Sequence, residues 1–180
     1  MGKVLDKSFF NRSTHAVARE LMGKMLVRQK GKKIIRSKIT EVEVYDGFAD
    51  QASHASRGKT KRNIPMFNNA GRWYVYLVYG MHWMLNIVTR EKGYPAAILI
   101  RGVEGILGPA RVTKALGVSN IFNNRKAEIK TGLWIEEGAV TEKMRITRTA
   151  RIGVDYAGPV WANKKWRLAA ISHKKKTRRI

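Results

Sequence analysis

The pattern of hydrophobic and polar positions predicts two helices in this chain. Apolar residues at helical spacing follow Ser13 or Thr14, either of which can cap a helix that runs to about Leu21. A second helix is predicted between Pro109 and Gly117, because proline is favoured inside the start of a helix and glycine just past its end. Both helices are short, and the other periodic segments have a different pattern.

Those other segments predict β-strands, because they are rich in branched and aromatic residues or alternate between apolar and polar positions. A first hairpin joins residues 25–28 to 34–45 around a polar turn at 30–33, and a second joins 73–79 to 82–89 around Gly80 and Met81. A further strand is predicted at 96–101, with short strand or helix candidates at 132–135, 147–152 and 167–171.

A long polar stretch with little periodicity, residues 47–70, separates the two hairpins. A loop of this length in a compact domain is usually either functional or disordered. We expect its basic residues, together with one at the start of the second helix, to contact phosphate groups. These candidates are Arg57, Lys59, Lys61, Arg62 and Arg111. The alternative is a solvated basic loop without a specific role.

The length of 180 residues fits one domain, since single domains commonly have about 100 to 200 residues. A sizeable core is possible because 44% of the residues are apolar, and no internal repeat is visible. We therefore expect a single domain over residues 1–173, followed by a basic tail at 174–180. For the tail, an unstructured or localisation-like segment is a better interpretation than a specific site.

Lysine and arginine outnumber aspartate and glutamate by 36 to 13, which gives a formal net charge of +23. This imbalance favours association with nucleic acid through counterion release and long-range attraction. A membrane partner is disfavoured, because no apolar run approaches the roughly 18 residues of a spanning helix and no signal-peptide core is visible. We expect a soluble intracellular protein, cytoplasmic and associated with the nucleoid in a bacterium or nuclear in a eukaryote.

Cysteine is absent from the chain, which excludes disulfides, thiolate nucleophiles, cysteine-bound zinc and iron–sulfur clusters. Only four histidines remain as imidazole ligands, and none are paired at the spacing of ligands on a helix. We therefore expect chemistry that uses no metal ion and no other cofactor.

The strand predicted at 34–45 presents two carboxylates and a phenol together. Because side chains alternate along a strand, Glu41, Glu43 and Tyr45 face one side, while Val42 and Val44 face the other and anchor the strand in the core. Acids that pair with surface lysines would give the same pattern. However, the whole chain has only 13 acidic residues. Two of them on one strand of a polyanion-binding protein weaken its affinity for phosphate, which suggests that they have a functional role.

The second hairpin divides its aromatic residues in a similar way. Tyr74 and Tyr76 share one face of the strand, and Tyr79 adjoins the turn. A tyrosine at a hairpin tip can insert between base steps, whereas tyrosines deeper in the strand are better placed to sandwich a base. Aromatic alternation is also typical of plain core packing, so the hairpin alone does not decide between binding and structure.

Several motifs agree in order and spacing over nearly the whole chain, from about Phe9 to His173. They are Glu-Val-Glu-Val-Tyr at 41–45, His54, residues 63–67, Tyr-Val-Tyr-Leu-Val-Tyr-Gly-Met at 74–81, Asn86, Arg101 and Gly108-Pro109. Together they resemble the alkyladenine (3-methyladenine) DNA glycosylase family. The resemblance implies a compact single domain of mixed α/β (α+β) class, in which helices flank a curved antiparallel sheet with a protruding β-hairpin.

The same resemblance implies an activity in base-excision repair. Family members flip alkylated or deaminated purines, such as 3-methyladenine, 7-methylguanine and hypoxanthine, out of double-stranded DNA. They hydrolyse the N-glycosidic bond with a water nucleophile and normally have no strand-cleaving lyase activity. We therefore expect a monofunctional purine DNA glycosylase that acts as a monomer on damaged duplex DNA.

Residue roles are carried over by motif position. Glu43 resembles the carboxylate that activates the attacking water, and Arg101 resembles its companion in holding that water and balancing charge. We expect nearby cationic groups to lower the pKa of Glu43 and keep it ionised. The other matches are the base pocket at Tyr45, His54, Tyr76 and Asn86, with Asn86 acting against normal guanine, and the intercalating residue Tyr79.

One departure from the family pattern lies at the second helix, where Arg111 and Val112 replace a common lysine and leucine. A non-catalytic, basic nucleic-acid-binding module is the competing interpretation, in which stacked tyrosines serve binding alone. Glu43 separates the two, since a binding module has no need of an acid that faces its nucleic acid. A sequence-specific regulator is disfavoured because no recognition helix or dimerising segment stands out.

Overall fold

The computed structural model describes residues 2–138 and 144–171, so the tail predicted at 174–180 lies outside the described residues. In these ranges the helices are α1 (Lys7–Phe10), α2 (Thr14–Leu21), α3 (Pro109–Leu116) and α4 (Gly158–Ala162). The strands are β1 (Met25–Lys30), β2 (Lys33–Asp46), β3 (Trp73–Val78), β4 (His82–Val88), β5 (Ala96–Val103), β6 (Ile106–Leu107), β7 (Leu133–Glu136), β8 (Ile146–Thr149) and β9 (Arg167–Ala170).

The strands form one sheet whose described pairs are all antiparallel. Its main path has the order β3-β4-β5-β2-β1-β7, while β9 pairs with β2, β8 with β9, and β6 with β5. The chain is therefore an α+β protein in which a few short helices flank an open antiparallel sheet, and the expected fold class is confirmed.

Strand β2 is the centre of this sheet. Its first half pairs with β1 over residues 33–38, and its second half pairs with β5 over 39–46. On its other edge β9 pairs with residues 41–43. The register to β5 shifts on both sides of Glu41, as happens at a β-bulge. Glu43 thus lies on a strand that has neighbours on both edges, far from any sheet edge.

The sheet has two differently packed faces. On one face Trp73 and Val75 belong to the main core, where α2 and α3 also bury their apolar residues. On the other face Tyr74 packs in a smaller cluster with residues of the loop at 47–70, and Tyr76 lies against it. The alternation predicted for this hairpin is confirmed, and it separates the structural aromatic residues from those that face the loop.

Most predicted elements are present with shifted ends. Both hairpins, the strand at 96–101 and the helix from Pro109 are confirmed, and Gly117 has a φ of 58° that suits a residue without a Cβ atom. The candidate at 147–152 is strand β8, but that strand ends at Thr149. Helix α1, strand β6 and a 3-10 helix at Ile64–Phe67 were not predicted.

Candidate active site

Glu43 is fully buried, and both of its carboxylate oxygens have donors. Oε2 accepts a hydrogen bond of 2.9 Å from the hydroxyl of Tyr45, and Oε1 accepts one of 2.8 Å from the backbone N–H of Ile152. Nη1 of Arg101 lies 3.3 Å from Oε1. The carboxylate is therefore held in one orientation by groups from three separate parts of the chain.

Burial dominates the acidity of this carboxylate. The pKa of Glu43 is raised above its usual value, because loss of solvent outweighs the charge of Arg101 and the hydrogen bonds from Ile152 and Tyr45. The nearby cations do lower this pKa, as expected, but the larger effect of burial makes the net shift upward. The family resemblance identified the arginine but not the depth of burial. A carboxylate with a raised pKa is a stronger base once it is ionised.

Arg101 also links the two acids of strand β2. Its Nε lies 3.0 Å from Oε1 of Glu41, and Nε of Arg167 on strand β9 lies 2.6 Å from the same oxygen. Glu41 and Glu43 are both buried. Their partners in the sheet are arginines, so the interpretation of these acids as partners of surface lysines does not hold for either one.

The four residues predicted for the base pocket line one cavity of about 40 Å³. Tyr76 and His54 meet there edge to face, with ring centroids 4.6 Å apart. A cavity of this size has room for about one water molecule. The lining residues are Tyr45, Ala52, Ser53, His54, Met66, Tyr74, Tyr76, Asn86, Ala97 and Tyr156.

His54 is an uncharged member of this lining near neutral pH. Its Nδ1 lies 2.8 Å from the hydroxyl of Tyr74. Burial lowers the pKa of His54 to about 4, and the charge of Arg62 acts in the same direction. A neutral imidazole can stack with a purine without adding a positive charge to the pocket.

Asn63 fixes the loop that carries His54. Its buried side-chain amide donates to the carbonyl oxygens of His54 and Gly58, at 2.8 and 2.9 Å. Its Oδ1 accepts a hydrogen bond of 2.7 Å from the N–H of Thr60. These contacts join separate parts of the loop at 47–70 to one another, which argues against a purely solvated basic loop.

Asn86 points its amide into the same region from strand β4. The side chain is buried, and its Nδ2 donates a hydrogen bond of 3.0 Å to the backbone carbonyl of Tyr74. One N–H of the Asn86 amide is thus occupied by a hydrogen bond within the protein. This contact fixes the orientation of a polar side chain that lines the cavity.

Sequence reasoning missed a buried ion pair behind the cavity. Arg151 binds both carboxylate oxygens of Asp50, at 2.6 and 2.8 Å, and also donates to the carbonyl of Val44. Neither side chain of the pair is exposed, and the guanidinium lies 4.9 Å from the ring centroid of Tyr45. Ile152, which donates to Glu43, is the next residue. The pair therefore holds the segment that contacts the carboxylate.

Tyr79 lies at the tip of the second hairpin, where 87% of its surface is exposed. The N–H of Met81 donates to the carbonyl of Val78, and both central residues of this turn have positive φ, 51° at Tyr79 and 67° at Gly80. Positive φ is common for glycine but unfavourable for a residue with a large side chain. The turn holds an exposed aromatic ring on a strained backbone.

The five candidates for phosphate contact are all exposed. Arg62 is the most constrained of them, since it donates a hydrogen bond of 3.0 Å to the carbonyl of Leu77 and lies 5.0 Å from the ring centroid of Tyr76. Arg111 is in the first turn of α3, as predicted. Phosphate contact by Arg57, Lys59, Lys61, Arg62 and Arg111 stays a prediction.

None of the helices in residues 2–138 and 144–171 has the length and apolar character that crossing a membrane requires. Within the same residues, no three histidine, aspartate or glutamate side chains are grouped so that they could hold a metal ion.

Comparison with known proteins places these features in a family. The family described as "Methylpurine-DNA glycosylase (MPG)" matches residues 8–107 and 104–174. A protein of Methanocella arvoryzae is 40% identical over 175 residues, covering 86% of each chain. One of Anaeromyxobacter sp. is 41% identical over 172 residues, covering 92% of this chain and 88% of its own. One of Rickettsia conorii is 46% identical over 157 residues, covering 83% and 82%.

All three relatives carry the name "Putative 3-methyladenine DNA glycosylase". The matched residues include the strand with Glu43, the hairpin with Tyr79 and the loop with His54. Because the family match extends over nearly the whole chain, this protein belongs to the methylpurine-DNA glycosylase family.

Proposed function

We propose that this protein is a monofunctional DNA glycosylase that flips damaged purines out of duplex DNA and hydrolyses their N-glycosidic bonds. Family membership and the names of the relatives support glycosylase activity on alkylated bases. The substrates in this proposal are 3-methyladenine, 7-methylguanine and hypoxanthine. The observation that carries the mechanism is the buried carboxylate of Glu43, which lies beside an aromatic cavity and is held by three donors.

The extruded base is recognised by stacking. In this proposal it enters between Tyr45, Tyr76 and His54, which already line one cavity. The rings of Tyr76 and His54 meet edge to face with centroids 4.6 Å apart, so a base that stacks between them would separate them. A purine alkylated at N3 or N7 is electron-poor, so its stacking against electron-rich phenols includes a cation–π attraction.

Hydrolysis uses a water molecule activated by Glu43. The water attacks C1′ and loses its proton to the carboxylate, while the C1′–N bond breaks and its electron pair leaves with the base. The anionic carboxylate also stabilises the positive charge that develops on the sugar. Arg101 orients the carboxylate through its contact with Oε1. Because water is the nucleophile, the strand is left intact at an abasic site.

Two further residues complete the proposal. Tyr79 occupies the gap left by the extruded nucleotide, a role suited to an exposed ring at a hairpin tip. Asn86 crowds the exocyclic amino group of normal guanine, a role supported by its fixed position in the cavity lining. The five basic candidates and the overall charge of +23 attract the phosphate backbone, and the protein acts as a monomer without a cofactor.

The first test is excision of hypoxanthine from a labelled duplex, followed by alkali to cleave abasic sites. We expect alkali-dependent cleavage by the wild type and at least a hundredfold slower cleavage by Glu43→Gln, with duplex binding retained. Glu104→Gln is the matched control, because Glu104 is an exposed acid outside the cavity. An undamaged duplex serves as the substrate control.

Three outcomes would change the proposal. Normal turnover by Glu43→Gln would remove Glu43 from the mechanism. Strand cleavage without alkali would contradict monofunctional activity. If the wild type cleaves neither the hypoxanthine duplex nor a methylated-purine duplex, and Glu43→Gln binds DNA more tightly, the non-catalytic binding module would be favoured.

A further inference from the structure

Each of the two tyrosines expected to sandwich the base already has an arginine near its ring. The guanidinium of Arg151 lies 4.9 Å from the ring centroid of Tyr45, and that of Arg62 lies 5.0 Å from the centroid of Tyr76. The two arginines differ in their partners. Arg151 is buried and neutralised by Asp50, whereas no carboxylate oxygen in the described ranges lies within 4.0 Å of Arg62.

Arg62 is also held in place, although it is exposed. Its Nη2 donates a hydrogen bond of 3.0 Å to the carbonyl of Leu77 on strand β3, next to Tyr76. Its charge reaches the cavity: it lowers the pKa of His54, and it opposes the increase that burial causes in the pKa of Tyr74 and Tyr76. The geometry thus fixes an uncompensated positive charge beside the base pocket.

The charge of the base changes during glycosidic cleavage. The bonding electrons move from the sugar to the base, so a neutral purine such as hypoxanthine gains negative charge in the transition state. A fixed cation nearby stabilises that charge. A purine alkylated at N7 instead enters the pocket with a positive charge, which the same cation repels before the bond breaks.

We propose that Arg62 is a specificity-determining residue whose positive charge favours excision of neutral purines over cationic ones. This inference rests on the proposed glycosylase function and concerns the relative rates on two classes of base. It assigns Arg62 a role beyond phosphate contact, since phosphate contact would change both rates by the same factor.

The size of the effect follows from the distance. A purine stacked on Tyr76 would lie at most about 10 Å from the guanidinium of Arg62, given ordinary ring-stacking distances. The interaction is weakened by solvent because Arg62 is exposed. At an effective dielectric constant of about 40, one charge at this distance changes the rate ratio about fourfold.

The experiment compares kcat/KM on two duplexes that differ only in one central base, hypoxanthine or 7-methylguanine. Arg62→Gln should lower the ratio of hypoxanthine to 7-methylguanine excision about fourfold, since removing the charge withdraws stabilisation from the neutral base and repulsion from the cationic one. Arg62→Lys keeps the charge and should stay near the wild-type ratio. Lys61→Gln, which removes the neighbouring charge, should lower both rates by the same factor.

A wild-type ratio in Arg62→Gln would overturn the proposal. An equal loss of ratio in Arg62→Gln and Arg62→Lys would also overturn it, because the hydrogen bond to Leu77 would then be responsible rather than the charge. Arg62→Met is a second neutral variant that keeps the aliphatic stem, in case Arg62→Gln melts at a lower temperature. If the wild type excises neither base, the proposed glycosylase function fails instead.

Discussion

Tyr45 donates a hydrogen bond of 2.9 Å from its hydroxyl to Oε2 of Glu43, two residues earlier on the same strand. Strand β2 therefore provides both an aromatic wall of the cavity and the carboxylate beside it. The hydroxyl lowers the pKa of Glu43, while burial raises that pKa. Tyr45 thus links the proposed recognition of the base to the acidity of the proposed catalytic group.

Tyr45→Phe should shift the pH dependence of excision while keeping the stacking ring. The hydrogen bond stabilises the ionised carboxylate, so its loss raises the pKa of Glu43 further. In the proposed mechanism the ionised form accepts the proton of water, so the acidic limb of the pH–rate profile should move to higher pH. Tyr94→Phe, a tyrosine outside the cavity lining, is the control. Identical acidic limbs for Tyr45→Phe and the wild type would contradict this coupling.

Glu43→Gln should lose activity without losing stability at neutral pH. The raised pKa means that folding opposes ionisation of Glu43, so its charged form lowers the free energy of unfolding at pH values above that pKa. A neutral isostere avoids this cost. We expect urea unfolding at pH 7 to give Glu43→Gln a free energy of unfolding at least equal to that of the wild type.

The pH dependence supplies the control for that experiment. As pH falls through the pKa of Glu43, the wild-type carboxyl becomes neutral and the advantage of the glutamine should shrink. A variant that is strongly destabilised at pH 7 would instead show that the contact with Arg101 outweighs burial. That result would reverse the sign of the pKa shift assigned to Glu43.

The strand pattern predicted the local part of this arrangement, the family resemblance supplied Arg101, and neither supplied Arg151 or Ile152. Glu43 and Tyr45 share a face because a strand has a period of two, which is visible in any sequence. The partners Arg151 and Ile152 are more than 100 positions away, and they meet Tyr45 and Glu43 only after the chain has returned beside β2. No spacing rule relates Asp50 to Arg151.

Burial was the second quantity that the sequence did not provide. The sign of the pKa shift at Glu43 depends on how completely β5 and β9 cover that strand, which is a property of the folded sheet. Tyr156 was missed for a similar reason, since it enters the cavity lining from a segment with weak periodicity. By contrast, helix α3 was predicted with nearly correct ends because proline and glycine act locally.

His54 should make the wild type less stable in mild acid. Its pKa is about 4 in the folded protein, against about 6.5 when unfolded. Between these values the unfolded chain binds the proton and the folded chain does not, so the free energy of unfolding falls as pH decreases from about 6.5 to about 4. Above that window the contribution is constant.

The matched variant for this effect is His54→Gln, which keeps a polar partner for the hydroxyl of Tyr74. We expect the free energy of unfolding of the wild type, measured relative to His54→Gln in urea, to decrease between pH 7 and pH 4.5. A difference that stays constant over this range would mean that His54 titrates normally and is more exposed to solvent than its contacts imply.

Tyr79 should be a residue at which stability and function oppose each other. Its φ of 51° lies in the left-handed region, where a bulky side chain costs about 1 kcal/mol and asparagine is better tolerated. Tyr79→Asn should therefore raise the free energy of unfolding by about 0.5 to 1 kcal/mol. The same change removes the ring proposed to hold the flipped nucleotide out of the helix, so excision from duplex DNA should slow.

Tyr79→Ala separates the two effects, since it removes the same ring but lacks the tolerance of asparagine for positive φ. We expect both variants to excise hypoxanthine more slowly than the wild type, and only Tyr79→Asn to be more stable. The measurement is single-turnover excision together with urea unfolding of all three proteins. Slower excision without a gain in stability for Tyr79→Asn would show that the turn is unstrained. Unchanged excision by both variants would remove Tyr79 from the proposed mechanism, because the ring would then not be needed for excision. The strained backbone at Tyr79 would in that case have no functional explanation.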